Sequence, residues 1–152
     1  MFKRGENTNM IQKARIRKTE YFFADRDGFM KDLYKDIQKA IKFAEKQGLM
    51  PVFRLNGTSD LSWEKYGIIE KFPTTQFYDY TKRHNRRNLP ANYHLTFSLA
   101  EDNDSRAAAA AANGANIAVV FRTDKFPATF MGMPVVDGDA DDLRFLDGRG
   151  VV

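Results

Sequence analysis

Apolar residues recur at intervals of three and four between Asp25 and Gln47, a spacing typical of one face of an α-helix. Asp25 or Asp27 can cap the amino end, and Gly48 can end the helix in a left-handed conformation. Lysines occupy the outer face. The apolar stripe comprises Phe29, Met30, Leu33, Ile37, Ala40, Ile41 and Ala44. The pattern therefore predicts an amphipathic helix that covers one side of a sheet.

Short apolar or alternating runs follow this helix and predict strands. They are "LMPVFRL" (49–55), "TQFYDY" (75–80), "NYHLTFSL" (92–99) and "NIAVVF" (116–121), with "MPVVDG" (133–138) and "GVV" (150–152) as a fifth and a sixth. Two intervening stretches predict helices: "LSWEKYGIIEKF" (61–72), which Pro73 ends, and the alanine-rich "DNDSRAAAAAANG" (102–114). A low-complexity linker is the alternative for the alanine run.

Strands that alternate with helices are the mark of parallel βα units, so we expect the α/β class. The specific expectation is a partial (β/α) barrel or a mostly parallel sheet with flanking helices. Residues 1–24 form a basic amino-terminal segment, and residues 25–152 form a single domain. A last predicted strand at "GRGVV" (148–152) suggests that this domain is truncated relative to a longer one.

Polar residues gather after the predicted strands, where the carboxyl ends of parallel strands would meet and form a ligand crevice. The residues at the amino ends of the same predicted strands are less polar. The predicted ligand-binding residues are Arg54, Asn56, Ser59, Asp60, Asp79, Lys82, Arg83 and Arg122. Such a cluster is suited to an anionic ligand, because guanidinium and ammonium groups bind phosphate and carboxylate.

Several of these residues have structural alternatives. Ser59 and Asp60 could cap the next helix, as polar residues after a strand commonly do. Arg54 lies in an otherwise apolar strand, so Asp79 on a neighbouring strand is its natural partner. The cationic stretch "TKRHNRR" (81–87) could be a solvated loop, an anion site or a contact with nucleic acid, with Arg86 and Arg87 extending toward solvent.

Composition excludes several kinds of functional site. The chain has 152 residues, no cysteine and a formal net charge of +4. Disulfides, thiolate ligands, iron–sulfur ligation and a cysteine nucleophile are therefore excluded for these residues. We expect no metal site, because "DGDADDLRFLDG" (137–148) lacks the glycine and glutamate of a calcium loop and the two histidines lack ligand spacing. The absence of an apolar span or secretory leader leads us to expect a cytoplasmic protein with no membrane contact.

The motifs "FADRDGFMKDLYKDI", "PVFRLNGTSDLSWE", "FYDYTKRHNR", "LPANYHLTFSLAEDN" and "PVVDGDADDLRFLDGRGVV" resemble the uncharacterised phage gene product 88-like family. That resemblance covers the chain from about Met10 onward and implies phage origin, hence the cytoplasm of an infected host. The order of strands and polar residues also resembles radical S-adenosylmethionine-related phage proteins, which carry a cysteine-ligated cluster in an upstream segment. The cluster cannot form in this chain.

Three functions follow as hypotheses. The first is the binding of an anionic small molecule, a nucleotide or an S-adenosylmethionine-like ligand at the carboxyl ends of the strands. The second is the binding of nucleic acid or a host factor through the amino-terminal segment, where residues 1–20 hold six basic and two acidic side chains, and through residues 82–87. The third is a structural or assembly role in which an exposed sheet edge pairs with another copy. Enzymatic activity is left open, since fold does not determine function.

Overall fold

The protein was analysed as a computed structural model that describes residues 4–123 and 125–152, with side chains from residue 9. The chain divides into two compact units, Met1–Met50 and Pro51–Val152. The proposed boundary after residue 24 stays a prediction. Of the basic residues expected at the amino terminus, Lys3 and the side chain of Arg4 lie outside the described part.

The first unit consists of two helices, α1 (Arg4–Ala24) and α2 (Arg26–Lys46). The predicted amphipathic helix is confirmed as α2, and Asp25 is its N-cap. The Asp25 carboxylate accepts a hydrogen bond from Gly28 N at 2.9 Å. A Cβ on residue 28 would lie 2.2 Å from that carboxylate, so only glycine lets the cap approach this closely. Helix α1 was not predicted, because its apolar residues follow no helical stripe.

The adjoining ends of α1 and α2 are joined by aromatic contacts. The Phe22 ring is buried and lies edge-on to the Phe29 ring, with centroids 5.3 Å apart. The Tyr21 hydroxyl donates a hydrogen bond to Asp32 at 2.9 Å, and this bond is the main reason that the pKa of Asp32 is lowered. These contacts fix the chain on both sides of Asp25, the residue between α1 and α2.

The second unit is built on a four-stranded sheet in the order β1 (Val52–Phe53), β2 (Gln76–Thr81), β3 (Tyr93–Ser98) and β4 (Asn116–Ala118). All three neighbouring pairs are parallel. Helix α3 (Asp104–Ala112) connects β3 to β4. The α/β class and the parallel sheet with flanking helix are therefore confirmed, whereas closure into a partial barrel is not shown: the described sheet has β1 and β4 as its two edges.

The alanine run forms a helix, as predicted. Ala107 and Ala110 are buried and pack with Phe97 of β3 and Ile117 of β4. Small side chains allow the helix axis to approach the sheet closely. The N-cap is Asn103, and its amide bridges Ala100 N and Ser98 O.

Three predicted elements of this unit do not form as predicted, namely the helix over 61–72 and the fifth and sixth strands. Residues 61–72 form only a 3₁₀ helix at Trp63–Tyr66, because Gly67 takes a left-handed conformation with φ of 65° and is followed by turns. The predicted fifth strand does not extend the parallel sheet. It contributes β6 (Met133–Pro134), which pairs antiparallel with β5 (Thr129–Phe130) in a separate two-stranded sheet.

The last residues link these sheets instead of forming a sixth strand. Ile117 N of β4 donates to Val151 O at 3.0 Å, and Val152 N donates to Pro134 O at 3.0 Å. Val136 N in turn donates to Val152 O at 2.8 Å. Asn116 fixes the approach of this segment, since its Nδ2 donates to Gly148 O and its Oδ1 accepts from Gly150 N.

Candidate functional site

The residues after β1 form a loop organised by Asn56, which is buried. Its side-chain Oδ1 accepts hydrogen bonds from Ser59 Oγ at 2.8 Å, Leu61 N at 3.0 Å and Trp63 Nε1 at 2.9 Å. Its Nδ2 donates to Leu61 O at 3.0 Å. Asn56 and Ser59 were both predicted as ligand-binding residues. In the structure, their side chains form hydrogen bonds that stabilise this loop.

Asp79 lies beneath that loop and is 1% exposed. Its carboxylate accepts hydrogen bonds from Asn56 N at 2.7 Å and from the Tyr93 hydroxyl at 2.8 Å. Burial disfavours the charged form and raises the pKa of Asp79 to about 6, although both hydrogen bonds and the charge of Arg86 oppose the shift. Burial also raises the pKa of Tyr93. Asp79 is thus a carboxyl group that titrates near neutral pH inside the fold.

Arg86 completes this network, and the prediction that it extends toward solvent is wrong. Its side chain is 4% exposed. It donates to both carboxylate oxygens of Glu64, through Nε at 3.1 Å and through its second terminal nitrogen, and to the Tyr93 hydroxyl at 3.2 Å. Burial by itself lowers the pKa of Arg86, but the bonds to Glu64 and Tyr93 outweigh it and the pKa is raised.

Asp60 ties the loop to the end of β2. Its carboxylate accepts from Thr81 Oγ1 at 2.7 Å and from Lys82 N at 2.9 Å, and it lies 3.7 Å from Arg86. The expectation that Asp60 caps the 61–72 helix is wrong, since Ser62 precedes the 3₁₀ turn without a side-chain cap. Four of the predicted residues, Asn56, Ser59, Asp60 and Asp79, therefore meet in one assembly, which we call the Asp79 network.

Arg54 does not pair with Asp79, as the sequence suggested. It donates to Asp142 Oδ2 at 3.0 Å, and its guanidinium lies over the Tyr80 ring, 4.6 Å from the centroid. The Tyr80 and Tyr78 hydroxyls donate to the same carboxylate, at 2.8 and 3.3 Å. Side chains alternate along a strand, so Tyr78 and Tyr80 lie on the face of β2 opposite to Asp79, and Arg54 shares their face.

The other three predicted residues do not join either assembly through side-chain contacts. The side chains of Lys82, Arg83 and Arg122 are exposed. Arg83 N donates to Thr81 Oγ1 at 3.1 Å, which bends the chain away from β2. Asp79 thus lies within β2 and the other seven residues follow a strand, and the eight are divided between the two faces of the sheet and solvent.

A cavity of about 290 Å3 opens beside the chain that leaves β2, and we call it the basic cavity. Arg83, His84, Arg86 and Arg149 line it together with His94 and Asn113. The apolar part of its lining comprises Leu89, Pro90, Ala91, Leu95, Phe97, Ala110 and Ala115. Burial lowers the pKa of His94, so this ring is uncharged at neutral pH. The basic cavity therefore combines cationic and apolar side chains in its lining.

A second cavity, of about 250 Å3, lies at the ends of β2 and β4 on the Tyr80 face, and we call it the Arg144 cavity. Its walls include Val120, Phe121, Phe126, Val135 and Val136, and its polar groups include Tyr80, Thr96, Asp139, Arg144 and Asp147. Arg144 is buried and forms ion pairs with Asp141 at 3.3 Å and Asp147 at 3.1 Å.

Sequence reasoning missed Asp142, Arg144 and Arg149, all in the acidic stretch near the end of the chain. The alternating aspartates there indicate turns and caps rather than a metal loop, so no ligand contact was predicted for this stretch. Among the described residues, no group of three or more histidine, cysteine, aspartate or glutamate side chains could hold a metal ion. In the same part of the chain, no helix combines the length and the apolar character that crossing a bilayer requires.

Comparison with known proteins gives one match. The family model for gene product 88 matches residues 2–152. No curated protein and no solved structure matches the chain, and the likeness to radical S-adenosylmethionine proteins gains no support. The match spans nearly the whole sequence, in agreement with the motifs that suggested the phage family. The chain therefore belongs to the gene product 88 family.

Proposed function

We propose that this protein binds a small anionic ligand that carries a phosphate group, and that the basic cavity is its binding site. The observation that carries the proposal is the set of cations at the cavity: Arg83 and Arg149 are both exposed and line it from separate parts of the chain. Of the eight residues predicted from the sequence, Arg83 is the one retained for direct contact with the ligand.

The balance of charge favours an anion. Glu64 and Asp60 already neutralise Arg86, whereas none of the ion pairs found within the described residues involves Arg83 or Arg149. None of the acidic residues that the structure describes lines the cavity. Two guanidinium groups can each present a pair of N–H donors to the oxygens of one phosphate, which gives shorter and stronger hydrogen bonds than neutral donors do.

The volume of the basic cavity and its apolar lining residues indicate what the part of the ligand other than the phosphate group is. A volume of about 290 Å3 is at the lower end of the range for ligand sites, so the ligand is of the size of a nucleoside monophosphate or a phosphorylated metabolite. Leu89, Pro90 and Leu95 offer an apolar surface to a ring or a sugar face. S-adenosylmethionine carries no phosphate group, so an S-adenosylmethionine-like ligand is the alternative that the ligand screen compares with phosphate compounds.

The test is thermal stabilisation of the purified protein by inorganic phosphate, adenosine monophosphate and S-adenosylmethionine, compared with a double variant. A ligand at about a hundred times its dissociation constant adds about 2.7 kcal/mol to the free energy of unfolding. We expect a phosphate-bearing ligand to stabilise the native protein and to lose most of that effect in R83Q/R149Q.

The matched control is R87Q, because Arg87 is exposed in the same loop and does not line the cavity. R87Q should bind as the native protein does. Equal stabilisation of R83Q/R149Q and the native protein, or no stabilisation by any phosphate compound, would overturn the proposal.

The two other hypotheses have weaker support. Contact with nucleic acid would involve four basic residues that are exposed on α1, namely Lys13, Arg15, Arg17 and Lys18. In the 82–87 loop, Arg86 is buried, so this loop offers one cation fewer for such contact. Binding through these phosphate contacts would fall steeply with salt, and replacing the four residues would reduce it uniformly across sequences. Assembly through a sheet edge would appear as a mass larger than one chain.

A further inference from the structure

The backbone around Arg149, a residue of the basic cavity, is bound by the side chain of Asn116, the first residue of β4. Asn116 is buried. Its Nδ2 donates a hydrogen bond to Gly148 O at 2.8 Å, and its Oδ1 accepts one from Gly150 N, also at 2.8 Å. A single amide group therefore binds the backbone on both sides of Arg149, more than 30 positions further along the chain.

The segment 148–152 is anchored to the sheet beside this contact. Asn116 pairs with Thr96 of β3, so its position is set by the register of the sheet. The next residue of β4, Ile117, donates from its backbone N–H to Val151 O at 3.0 Å. Segments without regular structure are usually mobile, but these hydrogen bonds tie the backbone of this one to a buried strand. The point from which the Arg149 side chain extends is therefore fixed.

The Arg149 side chain itself is available to a ligand. It is exposed and lines the basic cavity, and the ion pairs found near it within the described residues join Arg144 to Asp141 and Asp147 instead. A binding group whose backbone is already fixed loses less conformational freedom when the ligand binds, and the affinity is higher for that reason. The hydrogen bonds of Asn116 thus affect the basic cavity through Arg149.

We propose that Asn116 is a positioning residue for phosphate binding, which holds the backbone of Arg149 at the basic cavity, and that a bound phosphate group in turn stabilises the segment 148–152 on the sheet. This inference rests on the proposed function, because it concerns the same binding site. The coupling is reciprocal: a ligand that binds more tightly when the segment is docked favours the docked segment by the same factor. Asn116 also lines the cavity, so the test has to separate positioning from direct contact with the ligand.

The first experiment is a double-mutant cycle on Asn116 and Arg149, with the affinities for inorganic phosphate and adenosine monophosphate measured by calorimetry. R149Q should weaken binding about tenfold or more, because it removes charge-assisted hydrogen bonds. N116A should weaken binding at least about fivefold in the native background but less than about twofold in R149Q, because Asn116 acts through Arg149. An equal loss in both backgrounds would overturn the proposal, since Asn116 would then contact the ligand directly or act on the whole fold.

The matched control is N103A. Asn103 is also buried, and its side-chain amide also bridges two backbone groups, Ala100 N and Ser98 O, but it does not line the basic cavity. N103A should destabilise the fold in urea as N116A does, and should leave the affinity for adenosine monophosphate unchanged. Equal weakening of binding by N103A and N116A would overturn the proposal, because lower stability alone would then explain the loss.

Amide hydrogen exchange of the native protein tests the same coupling if N116A does not fold. The N–H groups of Gly150 and Val151 lie 2.8 and 3.4 Å from Asn116 Oδ1. Adenosine monophosphate at about ten times its dissociation constant should slow their exchange at least about fivefold and leave the amides of α2 unchanged. Binding without this slowing would overturn the inference but not the proposed function, whereas no binding of any phosphate compound to the native protein would overturn both.

Discussion

Glu64 and Arg86 form an ion pair joined by two hydrogen bonds, and neither side chain is more than slightly exposed to solvent. The two residues are 22 positions apart, on the 3₁₀ turn and on the loop between β2 and β3. The pair therefore fixes the connection between two parallel strands, next to the cavity proposed to bind phosphate.

Replacing Glu64 with glutamine should destabilise the fold. E64Q keeps the shape of the side chain but leaves Arg86 as a buried charge with Asp60 at 3.7 Å as its nearest carboxylate. Breaking one side of a buried pair typically costs about 3–5 kcal/mol, and we expect the lower end because Tyr93 still accepts from Arg86. Urea unfolding measures the difference, with E70Q at an exposed position as the control. A loss below about 0.5 kcal/mol would show that the pair is not desolvated.

Asn56 is expected to control the environment of Trp63, the only tryptophan in the chain. N56A removes the acceptor of the indole N–H and of two further donors, so the loop should loosen and the free energy of unfolding should fall by about 2–4 kcal/mol. The tryptophan emission should shift to longer wavelength as the buried indole meets water. S59A removes one of these bonds at an exposed residue and should leave the emission unchanged. Emission unaffected by N56A would contradict this account of the loop.

Asp79 should give the stability a specific dependence on pH. Its pKa in the fold is about 6, above the ordinary value of 3.8, so the folded state holds the proton more tightly than the unfolded chain does. This stabilising contribution is present below about pH 4 and is lost as the pH rises to about 6, by about 3 kcal/mol in all.

The matched variant is D79N, which cannot titrate. The free energy of unfolding of the native protein minus that of D79N should fall by about 2.4 kcal/mol between pH 4 and pH 7. The difference between the two proteins cancels the titration of other groups. A difference that stays constant over this range would mean that Asp79 titrates normally in the fold.

Asp142 should hold the Tyr80 hydroxyl protonated to high pH. Burial is the largest cause that raises the pKa of Tyr80 to about 12, and the hydrogen bond to Asp142 adds to it. D142A should therefore lower the pKa of Tyr80 only in part, toward the ordinary tyrosine value of 10.0. The tyrosinate absorbance signal lost in Y80F identifies this residue. An unchanged titration in D142A would show that burial alone sets the shift.

The sequence predicted the positions of the main strands well, because local periodicity determines them. The strands around Phe77, Phe97 and Ile117 and the helix that carries Ala107 all lie where their patterns placed them. Parallel pairing followed from the spacing, which leaves room for crossovers. The ends of elements were less predictable, since a single left-handed residue, Gly67, sufficed to end a helix that the apolar spacing favoured.

The partners of charged side chains could not be predicted, because they depend on the register between strands. Arg54 and Asp79 are on neighbouring strands, but Phe53 is opposite Phe77, which places Arg54 on the face of Tyr78. The true partner, Asp142, is 88 residues away in a segment without regular structure. Arg86 likewise looked like a solvated cation within a basic run, and only its packing against Glu64 shows otherwise.

Strand β2 separates two polar assemblies. Asp79 and Tyr80 are adjacent in the chain, but Asp79 is hydrogen-bonded to Tyr93 and Tyr80 is hydrogen-bonded to Asp142. Substitutions that share no partner usually have additive effects on stability, so E64Q and D142A should sum in the double variant. Substitutions on one face of the sheet should consequently leave the stabilising interactions on the other face unchanged. A single short strand thus gives the molecule two independently adjustable surfaces.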